Sequence, residues 1–597
     1  MSAPNRKGGA GDFTEGILLF SILGLLAAVL GGAWVSAHWG SSMAGIAAPP
    51  VHPVELVAGI FKQEIPWPIE STFIAGGIGA AVLILAIGIV VLVVRSGGKK
   101  KRVDRAAQYM AKGKALLPLT RKGALKSAQR LGVSDSPGVP IGKAVISGQD
   151  LFGSWEDMHV DIWGPRTGKT TSRAIPAIVA APGAVVVTSN KRDVADATRD
   201  VRAEHGDVWV FDPQGVAGEE PSWWWNPLSS VTDENKAGAL AEHFATGTRE
   251  PGARKDPFFD KHGPDLLTNL LLAAALDNRP ITQIHGWLTD PSEDEAVGIL
   301  RHHGYSMNAD GLSSIMNYAD KQRDGIYGTA LGYVSCLTNR TVAAWVNPTG
   351  ATRRPEFDPY EFMRGKNTLY SLSKEGSGSA GPLVTALTVA TVEAAEAYAV
   401  LSPGGRLATP LVGVLDEAAN VCRWNNLPDQ YSHYGSRGIV LMTILQSYSQ
   451  GVSVWGKEGM RKLWSASNVK VYGGGVAEPE FMTELSQFIG DYQYTGRTTS
   501  RGKNGRSTSV DPNRKERILE PDDLVSLERG RAIVFASGIR PVLIKTMPWM
   551  AGPDAEKIKA SIAAHDPSNR AAPLVAATVG ADSAPPNNWI QAAGRNE

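Results

Sequence analysis

A lysine and a threonine at the start of a predicted helix are the first residues whose types and spacing indicate chemistry. They stand in the segment Trp163-Gly164-Pro165-Arg166-Thr167-Gly168-Lys169-Thr170-Thr171, between the apolar run 158–162 and a helix-compatible segment that begins at Ser172. A strand, a glycine turn and Lys-Thr at a helix N-terminus form a phosphate cradle, because the turn amides point at phosphate oxygens. We expect Lys169 to reach the β- and γ-phosphates of ATP and the Thr170 hydroxyl to bind Mg²⁺.

The spacing of this loop departs by one residue from the usual pattern, G-x-x-x-x-G-K-[ST]. Only Pro165, Arg166 and Thr167 separate Gly164 from Gly168. Either the loop is one residue short, or Trp163 holds the position that glycine normally takes. An ordinary strand-to-helix turn is the alternative interpretation. The other half of a nucleotide site must therefore be sought elsewhere in the chain.

A carboxylate pair that suits this second half follows the apolar, strand-like run 411–415. We expect Asp416 to hold Mg²⁺ through water and Glu417 to orient and activate the attacking water. Taken alone, Asp-Glu at a strand end is often only a solvated end. Its place downstream of a phosphate-binding pattern favours the catalytic interpretation.

The next predicted strand, 438–445, is bounded by two further candidates. Gln446 follows its last residue, beside the carboxylate pair, where an amide would sense the γ-phosphate without adding charge. Arg437 precedes its first residue and is a candidate to complete the site of a neighbouring subunit, since phosphoryl transfer uses extra positive charge. The alternative for Arg437 is an ordinary surface or salt-bridged arginine.

The elements that must position these residues alternate between short apolar strands and helices, which predicts an α/β fold around a parallel sheet. The region from 231 to 346 reads as helical throughout and predicts an inserted all-α domain. Further strands are predicted at 184–188, 208–211, 368–372 and 469–472, with a closing antiparallel pair at 531–536 and 541–545 and with helices at 191–202 and 382–400.

Two apolar runs near the N-terminus, about 17–35 and 73–94, are long enough to cross a bilayer as helices. Lys and Arg residues flank the pair on both outer sides, whereas the connecting loop carries only Lys62. The positive-inside rule then predicts a multi-pass anchor in the inner (plasma) membrane, with both termini and the remaining domains in the cytoplasm. Two buried core helices are the alternative.

These patterns divide the 597 residues into six segments. The predicted segments are a membrane anchor (1–102), a cytoplasmic connector (103–145), the first part of a nucleotide-binding domain (146–230), an all-α domain (231–346), the second part of the nucleotide-binding domain (347–550) and a disordered tail (551–597). The net charge of +1 does not indicate a polyanionic partner, so nucleic-acid binding requires a local basic cluster. Cys336 and Cys422 have no metal-binding spacing and indicate a reducing compartment.

One such cluster is the basic segment 497–517, predicted as a mobile polar loop that either contacts phosphates or is simply solvated. A second candidate for nucleic-acid contact is the run 223–225, three tryptophans that either stack on bases or pack in a core. The sequence favours core or interface packing for the tryptophans and leaves both alternatives open for 497–517.

The chain resembles the type IV coupling proteins, the TraG/TraD-like membrane ATPases of conjugation and type IV secretion. The resemblance rests on the membrane hairpin and on an ordered series of short motifs: 164–169, 188–193, 211–215, Trp225-Asn226-Pro227-Leu228, 255–259, Leu415-Asp416-Glu417-Ala418-Ala419-Asn420, 437–438, 445–450, 463–470 and Arg540-Pro541.

What the resemblance implies is a RecA-like P-loop NTPase domain, interrupted by the all-α domain, in a membrane-anchored homo-hexamer. ATP hydrolysis with Mg²⁺ would drive single-stranded DNA with its relaxase, or protein effectors, toward a type IV secretion channel. The phosphate-binding loop of the family maps onto 164–171, its metal and catalytic acids onto Asp416 and Glu417, and its sensor onto Gln446. The expected partners are further copies of the chain, the relaxosome and single-stranded DNA, the channel components and membrane lipid.

Two other functions remain open. One is a membrane-anchored substrate receptor that uses nucleotide as a switch, with little turnover. The other is a double-stranded DNA translocase of the chromosome-segregation type, which the helical insertion and the segment 416–420 disfavour.

Overall fold

The computed structural model describes residues 11–49, 52–62, 64–96, 102–249, 256–348, 353–376, 378–502 and 505–569. Contacts within the chain define two compact units, Met1–Lys101 and Arg102–Glu597. The first unit contains the helices α1 (Gly11–Met43), α2 (Pro53–Phe61) and α3 (Ile69–Ser96). The second contains the sheet and all other elements described below.

Helices α1 and α3 pack against each other where small residues face a neighbour. A Cβ added to Gly40 would overlap Ser71, and one added to Gly32 would lie 3.1 Å from Ile78. Apolar side chains of α3 such as Phe73 and Ile84 are more than two-thirds exposed. This combination of close helix contact and exposed apolar surface is typical of helices that face lipid.

Two helices within the described residues are long and apolar enough to span a membrane. One is Ile69–Gly88, in the predicted second span, and only 6% of it is buried. The other is Gly381–Leu401, 72% of which is buried in the second unit. The predicted first span lies in α1, where most side chains from 17 to 26 are outside the described ones.

The described part of the second unit contains one eleven-stranded mixed sheet and one separate two-stranded hairpin. The strands are β1 (Val139–Ala144), β2 (Asp150–Gly153), β3 (His159–Ile162), β4 (Val185–Ser189), β5 (Val208–Phe211), β6 (Thr368–Leu372), β7 (Leu411–Leu415), β8 (Ile439–Leu445), β9 (Val469–Tyr472), β10 (Asp491–Gly502), β11 (Gly505–Arg517), β12 (Arg531–Ala536) and β13 (Val542–Lys545).

The order across the large sheet is β2-β1-β13-β12-β9-β3-β8-β7-β4-β6-β5. The strands from β9 to β5 are parallel, and β12, β13, β1 and β2 extend the sheet in antiparallel fashion. Every residue of β4, β6, β7 and β8 is buried, as expected of parallel strands that are covered on both faces. Because parallel strands share a direction, the residues that follow β3, β7 and β8 meet at one edge.

The helices of the second unit cover the faces of this sheet or pack on one another. In chain order they are α4 (Arg102–Ala106), α5 (Arg121–Arg130), α6 (Ile175–Ala180), α7 (Asp193–Ala203), α8 (Glu234–Thr248), α9 (Phe259–Leu276), α10 (Gln283–Thr289), α11 (Glu295–His302), α12 (Ser306–Met316), α13 (Asp320–Tyr333), α14 (Arg340–Val346), α15 (Pro359–Phe362), α16 (Gly381–Leu401), α17 (Ala418–Val421), α18 (Leu427–Tyr434), α19 (Tyr448–Ala466), α20 (Pro479–Ile489), α21 (Pro521–Val525) and α22 (Ala555–His565). Short 3₁₀ turns lie at 107–109, 113–119, 227–230, 335–338, 403–405, 435–437 and 549–551.

In the region between β5 and β6, every element that the structure describes from 231 to 346 is a helix or a short 3₁₀ turn, as the sequence predicts for this range. Its helices pack on α16, whose apolar residues are buried nearly all round because α16 lies between these helices and the sheet. An apolar stretch of this length therefore belongs to the core rather than to a membrane.

Three predicted boundaries differ from the structure. The predicted connector, 103–145, contains β1, which belongs to the large sheet. The basic segment 497–517 is not a loop but most of the hairpin β10–β11. The predicted disordered tail begins with an ordered part, because α22 packs on α7 and buries Ile558; residues 570–597 lie outside the described ones.

The tryptophan run at 223–225 packs in the core rather than offering a stacking platform. Trp223 and Trp225 are 4% and 0% exposed. Trp223 contacts Trp209 and Trp345 edge to face, with ring centroids 5.2 and 5.4 Å apart. Such contacts are those of aromatic core packing, so the favoured interpretation of core packing holds for Trp223 and Trp225.

Candidate nucleotide-binding site

Trp163 ends a strand rather than opening a loop. Its amide donates to the Leu445 carbonyl oxygen at 3.0 Å, and the Gly164 amide donates to the Gly474 carbonyl oxygen at 2.9 Å, so both continue the pairing of β3. The Trp163 indole is fully buried, and a Cβ on Gly473 would overlap it. The turn therefore begins only at Gly164, one residue later than in the usual pattern.

The turn that follows is tight and leads directly into a helix. The Thr167 hydroxyl donates to the Gly164 carbonyl oxygen at 2.5 Å, and the Ser172 amide donates to the Gly168 carbonyl oxygen at 3.0 Å. Gly168 has φ +100°, a conformation that side chains disfavour. A π-helical turn over 170–174 then continues as α6. This local geometry is that of a loop whose amides face outward at a helix N-terminus.

A buried ion pair lies beneath this loop. Arg173 Nε donates to Asp161 Oδ2 at 2.6 Å, and the Trp163 indole Nε1 donates to the same oxygen at 3.2 Å. Arg173 Nη2 is 3.2 Å from His159 Nδ1, and burial together with this cation holds the pKa of His159 well below its usual range. The imidazole is therefore neutral and accepts from the guanidinium. These bonds fix the first turn of the helix against β3.

Lys169 meets the predicted carboxylates across the sheet edge. Its ammonium bonds to Glu417 Oε1 and lies 3.5 Å from Asp416 Oδ1. Gln446 Nε2 donates to both carboxylate oxygens of Glu417 at 2.7 Å. The residues after β3, β7 and β8 thus form one cluster of a cation, two carboxylates and an amide.

Asp416 is buried in a way that suits a cation ligand. Its side chain is 4% exposed, and Oδ1 accepts no hydrogen bond from the described residues. Burial raises its pKa to about 6, with further raising by Glu417 and Asp193 and with Lys169 opposing. A desolvated carboxylate oxygen is stabilised by a nearby cation, and the Lys169 ammonium, 3.5 Å from Oδ1, is the one that the described residues supply.

Glu417 has a strained backbone, with φ +54° and ψ +41° in the left-handed region. A non-glycine residue pays roughly 1–2 kcal/mol there, and such strain is concentrated at functional positions. The strained residue directs its carboxylate toward Lys169 and Gln446, which is the placement that the sequence predicts for a catalytic acid.

A second group of polar residues extends the cluster and was not predicted. Asn420 Nδ2 lies 3.4 Å from Glu417 Oε2 and 2.9 Å from Glu375 Oε1. Asn190 also donates to Glu375, and Gln214 Oε1 accepts from the loop that carries Glu375. Glu417 is thereby connected to the ends of β4, β5 and β6. Each of these residues follows a different strand, so no spacing in the sequence connects them and the network could not be predicted.

Arg437 does not reach the cluster of its own chain. It forms an ion pair with Glu396 on α16 and precedes the opposite end of β8 from Gln446. At about 3.3 Å per residue, the two residues are roughly 30 Å apart. Arg437 therefore does not reach a phosphate bound at Lys169 of its own chain.

Among the described residues, no three His, Cys, Asp or Glu side chains form a group that would hold a metal by themselves. The strand, the Gly-Lys-Thr turn, the helix and the facing carboxylates define the class of the protein: it is an α/β protein with P-loop architecture on a mixed sheet.

The comparison with protein families narrows this class. Residues 410–529 match the family model described as the TraM recognition site of TraD and TraG. This segment includes β7, β8, the hairpin and the residues Asp416, Glu417, Arg437 and Gln446. The predicted resemblance to the type IV coupling protein family is confirmed over this segment. No protein of curated function matches the chain.

Three solved structures that align with this chain are two of a conjugative coupling protein and one of VirB4. The bacterial conjugative coupling protein TrwBdeltaN70 aligns with 16% identity and a TM-score of 0.48, over 68% of this chain and 88% of its own. TrwB in complex with ADP and Mg²⁺ aligns with 16% identity and a TM-score of 0.46, over 66% and 85%. VirB4 of Thermoanaerobacter pseudethanolicus aligns with 13% identity and a TM-score of 0.37, over 70% and 98%.

Proposed function

We propose that this protein is a membrane-anchored ATPase that recruits single-stranded DNA with its relaxase, or protein effectors, and moves them to a type IV secretion channel. The observation that carries the proposal is the convergence of Lys169, Asp416, Glu417 and Gln446 at one sheet edge. The family match over 410–529 supports the coupling role.

The residues of the cluster have distinct tasks in this proposal. Lys169 and the amides of 164–171 bind the phosphates of ATP, and Thr170 and Asp416 hold Mg²⁺, which neutralises charge on the phosphates when bound. The buried Asp416 Oδ1, which accepts no hydrogen bond from the described residues and has only the Lys169 ammonium nearby at 3.5 Å, supports this assignment. Glu417 takes the proton of the attacking water, and Gln446 fixes its carboxylate through two hydrogen bonds.

Lys169 also has to change partners. Its ammonium is bound to Glu417, so phosphate oxygens must compete with this carboxylate for the same cation. Binding of ATP then releases Glu417 to act on water. The two events are coupled through one ammonium group, which would keep Glu417 from acting as a base until a phosphate is present.

The ATPase activity of the full-length protein in detergent tests the motor. We expect single-stranded DNA to stimulate ATP turnover. The ATPase rate should fall roughly 100-fold or more in Glu417→Gln, because a general base contributes a factor of about 10²–10⁴ to the rate. Lys169→Ala should reduce the rate to a comparable extent. Only Lys169→Ala should also abolish nucleotide binding. Lys122→Ala and Glu480→Gln, at exposed positions, are matched controls that should not change the rate.

The same assay decides between the proposal and its alternatives. A wild-type rate equal to that of Glu417→Gln, with nucleotide binding intact, would instead identify a nucleotide-switched receptor. Stimulation by double-stranded DNA but not by single-stranded DNA would favour a double-stranded DNA translocase.

The inner-membrane anchor is proposed from the predicted charge distribution and the exposed apolar side chains of α3. Both native cysteines are buried, so single surface cysteines report on topology. Ser42→Cys should react with a membrane-impermeant maleimide from outside the membrane, whereas Ser147→Cys should react only after permeabilisation. Labelling of both positions from the same side would contradict the hairpin.

A further inference from the structure

The chain is strongly basic just after the predicted membrane anchor. Helix α3 ends at Ser96, and α4 begins at Arg102. From 105 to 134 the sequence contains seven Lys or Arg residues and no Asp or Glu. Among the described residues, only Arg130 of these seven forms an ion pair, with Glu156. The other six cations are exposed and have no carboxylate partner in the described part of the chain.

Helix α5 presents part of this charge on one face. Lys122, Lys126 and Arg130 follow one another at intervals of four residues and therefore lie on the same side of the helix. Ala124 and Ala128, on the opposite side, are 1% and 0% exposed. Like charges at this spacing destabilise a helix, and so does a cation in its first turn, near the positive end of the helix dipole. An anion from outside the chain would relieve both effects.

An apolar tip lies beside this basic face. In the 3₁₀ turn that precedes α5, Leu117 is 52% exposed, and Ala115 and Pro118 are exposed as well. The Leu117 carbonyl oxygen accepts from the Thr120 hydroxyl at 2.8 Å, and a Cβ on Gly123 would overlap the same oxygen. This close packing holds the tip against the first turn of α5, so that the tip and the basic face form one surface.

We propose that this surface binds the headgroups of anionic phospholipids on the cytoplasmic side of the membrane; the inference rests on the proposed membrane anchor. Basic segments that directly follow a membrane span are attracted to anionic lipids, and the attraction falls off within a Debye length. The charge distribution of the anchor predicts that the connector lies on this side. Cations beside an exposed leucine match a bilayer interface, because the charges meet the headgroups while the apolar side chain enters the acyl boundary.

A nucleic-acid backbone carries the same negative charge but does not account for the apolar tip. Proteins that bind single strands combine cations with aromatic side chains on which the bases stack. The only aromatic residue in the sequence from 105 to 134 is Tyr109, and its ring is already stacked on Tyr492, with centroids 4.0 Å apart. The combination of lysines with an aliphatic tip therefore favours lipid.

The connector that carries this surface is fastened to the large sheet. Arg531 donates to both carboxylate oxygens of Asp104, at 2.7 and 2.9 Å. The Ala111 amide donates to the Pro541 carbonyl oxygen at 2.9 Å. The surface is thus already ordered, and binding to headgroups does not have to order a flexible segment first.

Full-length protein in lipid nanodiscs tests this assignment, with discs of phosphatidylcholine alone and discs that also contain phosphatidylglycerol. Because both native cysteines are buried, Ala115→Cys can carry a single environment-sensitive fluorophore beside Leu117. In the anionic discs its emission should shift to the blue and be quenched by nitroxide-labelled lipid, and high salt should reverse both effects. Neither effect should occur in phosphatidylcholine alone.

Two variants of the labelled protein separate the contributions of charge and of the apolar tip. Changing Lys114, Lys122 and Lys126 together to Gln should lower the ratio of lipid-bound to free surface about 100-fold, since each cation near an anionic membrane contributes about fivefold. Leu117→Asn should also lower this ratio although it keeps every charge, because an amide does not favour the acyl boundary. Both variants should keep the wild-type ATPase rate in detergent, which shows that they are folded.

Two controls and three outcomes complete the test. A fluorophore at Met307→Cys, an exposed position on α12, should not respond to lipid charge, and a variant with three other exposed arginines changed to Gln should respond like the wild type: Arg340, Arg364 and Arg529. An equal response in both kinds of disc, or in the triple lysine variant and the wild type, would overturn the inference. A response to a single-stranded oligonucleotide instead of anionic lipid would overturn it in favour of a nucleic-acid surface. Protein that does not insert into the discs would overturn the proposed anchor as well.

Discussion

Trp163 and Gly473 contact each other at the start of the phosphate-binding loop, and this contact makes a prediction about stability. Trp163→Ala should lose about 3–5 kcal/mol, the usual result for a large buried ring. Gly473→Ala should lose about 1–3 kcal/mol because its methyl group overlaps the indole. The double variant should lose less than the sum, since without the indole the added methyl group has room. Denaturant unfolding of the four proteins measures the coupling, and additive losses would contradict it.

Asp157 is the residue from which a pH dependence of stability can be derived. Burial raises the pKa of its carboxyl to about 6, although Oδ2 accepts from the Ser154 amide at 2.7 Å. The folded state therefore holds a proton that the unfolded state, with an ordinary pKa near 3.8, has lost. Stability contributed by this group falls as pH rises from about 4 to about 6 and is constant above that range.

Asp157→Asn removes this titration and keeps the acceptor for Ser154. The variant should gain stability relative to the wild type as pH rises from 4.5 to 7.5, by about 1 kcal/mol, because partial exposure reduces the full value of the shift. Thermal unfolding at the two pH values measures it. Asp207→Asn, at an exposed position, serves as the control, and an identical pH profile for Asp157→Asn and the wild type would refute the assignment.

Among the elements, the hairpin β10–β11 stands apart from the large sheet. Its strands pair from Asp491↔Arg517 to Gly502↔Gly505. Seven Lys or Arg and three acidic residues lie within it. A two-stranded ribbon with this charge excess can follow a nucleic-acid backbone, whereas a solvated hairpin would have no effect on DNA.

Replacing Arg497, Arg501 and Arg506 by Gln keeps the ribbon and tests this choice. Affinity for single-stranded DNA should fall, and the slope of log K against log salt should become less steep by about 0.7 for each phosphate that the ribbon no longer neutralises. A matched variant with Arg340, Arg364 and Arg529 changed to Gln, at exposed positions outside the hairpin, should keep the wild-type slope. Equal slopes in both variants would show that the hairpin is solvated and does not contact the phosphates of DNA.

The elements that the sequence predicts best are those whose pattern is continuous and apolar. Strands β5, β6, β7, β9 and β12 have the predicted bounds because short segments rich in β-branched and aromatic residues, bounded by polar or turn residues, favour strands. Strand β1 was missed because Pro140, Gly142 and Lys143 interrupt it, as is usual near a sheet edge, and β2 was missed because only two apolar residues lie between Asp150 and Gly153. The hairpin was missed because its Ser, Thr and Arg residues show no apolar alternation.

The residues of the candidate site also fall into those that the sequence could predict and those that it could not. Lys169, Glu417 and Gln446 could be predicted because each follows a recognisable strand, and strand ends converge. The pairs Asp161–Arg173 and Trp163–Gly473 could not, because their partners are brought together only by the packing of β3 against α6 and β9. Short-range spacing carries no information on such pairs.

At the scale of the whole molecule, the cluster around Glu417 is incomplete for phosphoryl transfer in one respect. Such transfers gain about 10³–10⁵ in rate from an added arginine, and the candidate, Arg437, lies roughly 30 Å away at the far end of β8. We propose that a ring of identical subunits would solve this problem, because a head-to-tail contact could place the arginine end of one copy beside the loop end of the next.

Mixing two inactive variants tests this arrangement. In a mixed ring, an Arg437→Ala subunit contributes an intact loop and Glu417, and an adjacent Glu417→Gln subunit contributes Arg437. Each variant alone should be inactive, and a random equal mixture should recover about a quarter of the wild-type ATPase rate, because that fraction of subunit interfaces joins the two intact parts in the right order. Arg364→Ala, another ion-paired arginine, should retain full activity alone. A mixture that stays inactive, while both variants still assemble, would show that Arg437 does not act in the neighbouring site. Full activity of Arg437→Ala alone would show that Arg437 serves only in its ion pair with Glu396.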